Sequence, residues 1–421
     1  MKKIMNMKVS RWKILSIAVA LVLGYAVNSD AFRVDVDEDT WADFAIRGQL
    51  AYLSFDKRSA EKDYRQDYFE LTEAEFYAKG QITPLVQFFT QWECVYNPLD
   101  IEKSGEKLDE DDAYKKERAY MKETGMNFLF APEFKLRFGR IRIPVSRYHQ
   151  RSDYKKMIPT DYFYRYDVHG VFKGNDLGLK VNKTALSIRE PGAVFFGDTF
   201  DGMLRYHIGL FNQPNNKDTN NNDKSYDGLR YTARLAFTPT MLGFKPESSL
   251  KGTRGDSYLG KKDILTIGVG YSKEDIWDGL TNEMYAGDVF FEKKYGSIVP
   301  DLGVGYIAAK ETHRIDGKPQ DSAFWFVQGQ LLYDEVVGFG KPAIAARFER
   351  MQSDKAWENQ DAKFDRFSVC LHYFIKGYNA WISVGLDNVR YKDGAKDYLA
   401  AQPTAPEDSI TDYNVSFEFK F

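Results

Sequence analysis

The last ten residues constrain the fold of this chain more than any other stretch. Asp412 to Phe421 reads DYNVSFEFKF. Tyr413, Val415, Phe417, Phe419 and Phe421 fall on one side of an extended strand, and Asn414, Ser416, Glu418 and Lys420 on the other. Successive side chains of a strand point to opposite faces, so this is period-two alternation between an apolar and a wet surface. A half-buried strand of a soluble sandwich would explain the alternation, but not the aromatic at the final position.

The same pattern recurs along the chain. Leu229, Tyr231, Ala233, Leu235 and Phe237 alternate with Arg230, Thr232, Arg234 and Ala236, and Phe367, Val369, Leu371 and Tyr373 with Arg366, Ser368, Cys370 and His372. Each segment is close to the ~9–11 residues that a tilted strand needs to cross a bilayer. Sixteen such segments are expected, near 42–54, 67–80, 84–97, 118–130, 133–144, 190–198, 203–212, 226–239, 262–272, 282–294, 298–310, 322–333, 341–351, 363–375, 378–391 and 412–421. Long polar loops near 55–66, 98–117, 145–189, 213–225, 311–321, 352–362 and 392–411 alternate with short turns, as external loops and periplasmic turns of a barrel do. The 240–261 connection is long for a turn, and 176–188 has room for an extra strand. Composition agrees: 15% aromatics with a mean hydropathy of −0.49 suit a chain whose residues alternate between lipid and water. The fold expected is all-β, a transmembrane antiparallel β-barrel of 16 strands.

The N-terminus reads as an export signal. Lys2, Lys3, Lys8, Arg11 and Lys13 precede an apolar stretch from Ile14 to Val27, too short for a comfortable membrane helix. Ser29-Asp30-Ala31 places cleavage after Ala31, leaving residues 32–421 as one barrel domain, with cleavage after Ala26 as second choice. The mature chain then has 53 basic and 60 acidic side chains, since the signal removes five of the 58 and one of the 61. Cys94, on the lipid face by parity, and Cys370, on the lumen face, are expected to be free thiols. No CxxC, CxxCH or HxH string occurs, so no metal or other cofactor is expected, and no catalytic set converges. The expected setting is the outer membrane of a Gram-negative bacterium, with membrane lipid and small ions or solutes as partners and no nucleic acid.

At 189–213, REPGAVFFGDTFDGMLRYHIGLFNQ, and at 228–239, GLRYTARLAFTP, the chain resembles the phosphate-selective porin O/P family. FGRIRIPVS (138–146), SAFWFVQGQLLY (322–333) and AARFERM (345–351) resemble further elements of that family in the same order, although Glu190-Pro191 stand where Asp is usual. The resemblance runs from about residue 42 to the end. It implies a sixteen-stranded barrel, a homotrimer, and loops that narrow the pore.

The densest charge lies at 134–165. Lys135, Arg137, Arg140, Arg142, Arg147, Arg151, Lys155, Lys156 and Arg165 stand against Asp153 and Asp161. Parity switches at Gly139, and a β-bulge there would bring Lys135, Arg137, Arg140 and Arg142 to one face. The lumen is the face expected, because a cation facing lipid at the midplane costs ~2–4 kcal/mol. A loop rich in tyrosine, 145–175, is the candidate constriction. Arg205, Arg230, Arg234 and Arg347 face the lumen by parity and extend an anion path. The alternative is a solvated wall whose cations are balanced by Glu73, Glu75, Glu93 and Glu349. Passive diffusion with anion preference is the leading function. The other is a barrel sheathing a multihaem cytochrome, or another periplasmic or redox partner, in an electron conduit.

Overall fold

The computed structural model describes residues 32–59, 62–95, 118–152, 154–159, 189–212, 228–247, 255–275, 281–311, 321–357, 360–396 and 409–420. The expected signal peptide (1–31), the terminal Phe421, the candidate loop from 160 onward with Arg165, and the room for an extra strand at 176–188 lie outside the described residues.

A short strand β1 (Phe32–Asp35) precedes sixteen longer ones. The first eight are β2 (Trp41–Ser59), β3 (Lys62–Thr83), β4 (Val86–Val95), β5 (Arg118–Ala131), β6 (Phe134–Arg142), β7 (Arg189–Thr199), β8 (Leu204–Asn212) and β9 (Leu229–Phe237). The rest are β10 (Ile264–Asp275), β11 (Thr281–Glu292), β12 (Ile298–Glu311), β13 (Ser322–Tyr333), β14 (Lys341–Trp357), β15 (Gln360–Phe374), β16 (Ala380–Asp393) and β17 (Ser409–Lys420). Each of β2 to β17 pairs antiparallel with its sequence neighbours, and β17 closes onto β2 from Tyr413↔Ser54 to Lys420↔Arg47. The result is a ring of sixteen strands with no open edge, which lets every ladder hydrogen bond be made inside lipid. β1 lies beside the start of β2, Phe32 opposite Phe44.

Every expected segment forms one strand. Two expected loops are shorter than their polarity suggested: β2 and β3 pair as far as Ser59↔Lys62, and β14 and β15 as far as Trp357↔Gln360. Charged residues there extend the strands because the ladder needs only backbone groups.

The faces separate as the alternation demands. On β9, Leu229, Tyr231, Ala233, Leu235 and Phe237 are exposed, while Arg230, Thr232, Arg234 and Ala236 are buried. Large apolar side chains thus cover the outside and charges the inside, an arrangement stable in a bilayer and costly in water. No helix among the described residues is long and apolar enough to cross a membrane. Phe128, Phe130, Phe134 and Phe195 stack in sequence at 6.3, 5.5 and 5.7 Å on the outer wall near the short turns. Cys94 is exposed on that wall, Cys370 is buried inside, and both are free.

The first and last described residues, Phe32 and Lys420, lie at the same end of the barrel as the short turns. The connection from β9 to β10, 238–263, is the long exception on that side.

Candidate permeation path

The chain leaves β6 and turns inward. Among residues 143–159, Arg147 N–H donates to Asp288 Oδ2 on β11 (2.9 Å), Lys156 reaches Glu73 on β3 (2.9 Å), and the Met157 carbonyl accepts from His372 Nε2 on β15 (2.5 Å). Tyr148 packs edge-on against Phe326 of β13 at 4.5 Å, and Arg234 of β9 donates to the Val145 carbonyl. One segment can touch inward-facing residues of β3, β9, β11, β13 and β15 only from within the ring.

The β9–β10 connection meets this segment from the short-turn end. Arg147 Nη2 lies 2.8 Å from Glu247 Oε1 and 2.7 Å from the Gly255 carbonyl, with its guanidinium 3.7 Å over the Phe290 ring. Arg151 pairs with Asp256 at 3.1 Å, and Asp256 also accepts from Met157 N–H. Burial opposes the charge on Arg147, but Glu247, Tyr148 and Tyr258 beside it together outweigh burial and leave its pKa raised. Two inward segments pinned by fully buried pairs fill the side of the lumen along β10 to β16. A partner threaded through the barrel would have to displace them, which argues against the electron-conduit alternative.

The bulge expected at Gly139 does not form. Register runs unbroken from Lys135↔Phe196 to Arg142↔Arg189, and Gly139 lies between Gly125 and Gly192 on the flanking strands. At φ +139° it takes a backbone conformation that side chains disfavour, and a Cβ there would meet the Thr124 carbonyl oxygen at 2.1 Å. The glycine allows close approach of three strands rather than an extra residue. Parity therefore continues, and Arg140 is exposed on the outer wall beside Thr124 and Pro191. Arg142, the last residue of β6, reaches inward because the chain turns there, its Nε 2.7 Å from Glu123. A bulge does occur one strand earlier: Gln91 faces Glu123 and Trp92 faces Met121, so Lys122 and Glu123 both turn inward. Arg140→Gln is accordingly expected to leave the reversal potential in a salt gradient unchanged; a clear shift would show that the side chain reaches the solute path.

Most of the remaining expected cations are buried beside carboxylates. Lys135 (3.0 Å) and Arg205 (2.5 Å) share Asp198, Arg230 holds Glu274 (2.6 Å), Arg234 holds Asp288 (2.6 Å), and Arg347 and Arg366 share Glu349. Lys122 bridges Glu75 and Glu93 at 2.6 Å each. Much of the inner wall is therefore neutralised.

An open space runs along β17 and β2 to β8, bordered by the β9–β10 connection and the β15–β16 turn. A cavity of about 620 Å³ is lined by Arg33, Arg47, Lys79, Arg137, Arg142, Lys155, Lys261, Lys376 and Lys420 against only Asp43 and Glu123. Three of these, Arg137, Arg142 and Lys155, belong to the charge-dense stretch. Arg33, Arg47, Lys79, Lys261, Lys376 and Lys420 were missed, because they come from opposite ends of the chain and from two connections. Parity held a partial signal, since Lys420 stands on the polar face of β17. Among the described residues, Lys155, Lys261, Lys376 and Lys420 make no ion pair.

No protein-family profile matches the chain. An uncharacterised protein of Aquifex aeolicus is 23% identical over 271 residues, a match covering 60% of this chain and 58% of that protein's length. Among solved structures, the anion-selective porin from Comamonas acidovorans is similar over 91% of this chain and 100% of its own, with a TM-score of 0.54 at 11% identity. Salmonella typhi OmpF in complex with daunomycin has a TM-score of 0.54 at 13% identity, over 93% of this chain and 100% of that one. The outer membrane channel DcaP of Acinetobacter baumannii has 0.54 at 9% identity, over 92% and 99%. The likeness is one of fold: a closed sixteen-stranded barrel of the kind outer-membrane porins have. These matches do not separate a phosphate-selective subtype from other porins.

Proposed function

We propose that the chain is a porin of a Gram-negative outer membrane that passes small solutes and favours anions. The observation that carries this is the lining of the 620 Å³ cavity, nine cations against two carboxylates. A water-filled space inside a low-dielectric wall focuses such a field, so anions enter at lower cost than cations. Short turns and termini belong on the periplasmic side of such barrels and long loops outside, which puts the cavity at the periplasmic mouth. The motif resemblance adds inorganic phosphate as an anion to test, and a homotrimer that the mass of the detergent-extracted species would report.

The test is the reversal potential of the purified protein in a planar bilayer under a KCl gradient. A potential of anion-selective sign is expected; a cation-selective or silent barrel sinks the reading. The preference should also weaken with rising pH. Burial first, then Arg47, Lys261 and Lys79 nearby, push Lys155 down to about 8. A lysine is charged below its pKa, so Lys155 loses its positive charge between about pH 7 and about pH 9 while an ordinary lysine would keep it.

A further inference from the structure

We infer that the cavity is built to hold an organic anion with a flat apolar body, an aryl carboxylate, in preference to a compact inorganic anion. This rests on the anion reading above and adds the class of solute. The cations do not line a purely polar space. Phe89, Val194 and Phe196 form an apolar wall on β4 and β7. Arg137 lies between two of these rings, 5.5 Å from Phe89 and 5.4 Å from Phe196, and Phe196 stacks on His207 at 5.9 Å and 10°. Arg47 is held the same way, 5.1 Å from Tyr77 and 5.4 Å from Tyr154.

A guanidinium whose flat face is covered by an aromatic ring keeps its donors for the edge. Arg47 Nη1 lies 3.5 Å from Glu75 Oε2, and its buried Nε makes no hydrogen bond among the described residues. Lys155 and Lys420 line the same cavity, neither with an ion pair among the described residues. A carboxylate set against Arg47, Lys155 and Lys420 would have its apolar body facing Phe89 and Phe196. Phosphate is compact and hydrated on every side. It gains the charges but loses water against the rings without replacement. A benzene ring removes apolar surface from water on both partners, and 620 Å³ lies within the range of small-molecule pockets.

The experiment uses the full chain in a planar bilayer, with the chloride current measured as benzoate, acetate or inorganic phosphate is added. Benzoate is expected to halve the current at a concentration about tenfold lower than acetate or phosphate. Phe89→Leu, which keeps an apolar side chain but removes the ring, should narrow the gap between benzoate and acetate. Equal block by benzoate and acetate, or tighter block by phosphate, overturns the proposal. If the reversal potential is still anion-selective in that case, the anion reading survives; a cation-selective or silent barrel removes both.

Discussion

Arg147→Met is expected to enlarge the single-channel conductance and to destabilise the packing inside the barrel by about 3–5 kcal/mol, the usual cost of leaving one member of a buried ion pair alone. The wild-type guanidinium is fully buried, gives Glu247 bonds from Nε and Nη2, and caps the Gly255 carbonyl. Methionine fills similar space over Phe290 but takes the guanidinium from the Glu247 carboxylate, to which the Tyr258 hydroxyl still donates at 2.7 Å. The barrel wall does not depend on this pair, because its ladder bonds are made strand to strand. Segment 143–159 is anchored by it together with Arg151–Asp256 and Lys156–Glu73, and loosening that segment opens the lumen. The double variant Arg147→Met with Glu247→Leu should recover much of the lost stability, since the penalty comes from the orphaned charge. Denaturant titration and bilayer recordings on the three proteins decide it. Unchanged conductance and midpoint in Arg147→Met would mean that the segment is held elsewhere.

The wall was legible in the sequence because alternation is a local property. Each strand declares its two faces within ten residues, and DYNVSFEFKF or LRYTARLAF needs no distant information to do so. What the alternation could not show is where charges find partners. Arg234 and Asp288 lie on strands two apart, and Arg147 meets Glu247 only because two connections fold inward from opposite ends of the barrel. The charge-dense stretch 134–165 therefore looked like a basic ring, whereas Arg147, Arg151 and Lys156 are bound to carboxylates there. Gly139 misled for a related reason. A glycine at a parity switch suits a bulge, but also close backbone approach, and only the flanking Gly125 and Gly192 select the second.

That division between paired and open cations sets the largest effect expected on selectivity. Lys155, Lys261 and Lys420 line the cavity and make no ion pair among the described residues, so their charge acts on solutes rather than on folding. Changing all three to glutamate takes the lining from an excess of seven positive charges to an excess of one. The reversal potential in a KCl gradient should collapse toward zero. Three equivalent changes at Arg230, Arg234 and Arg347 would act differently. Each would place a carboxylate beside Glu274, Asp288 or Glu349 in a buried position, and like charges there oppose folding before they alter any current. Heat-dependent electrophoretic mobility reports whether each variant still forms a barrel. If the lysine triple variant folds and keeps its anion preference, the cavity at the short-turn end is not the filter. If the arginine triple variant folds and loses the preference, the filter lies among the paired charges of β9 and β14.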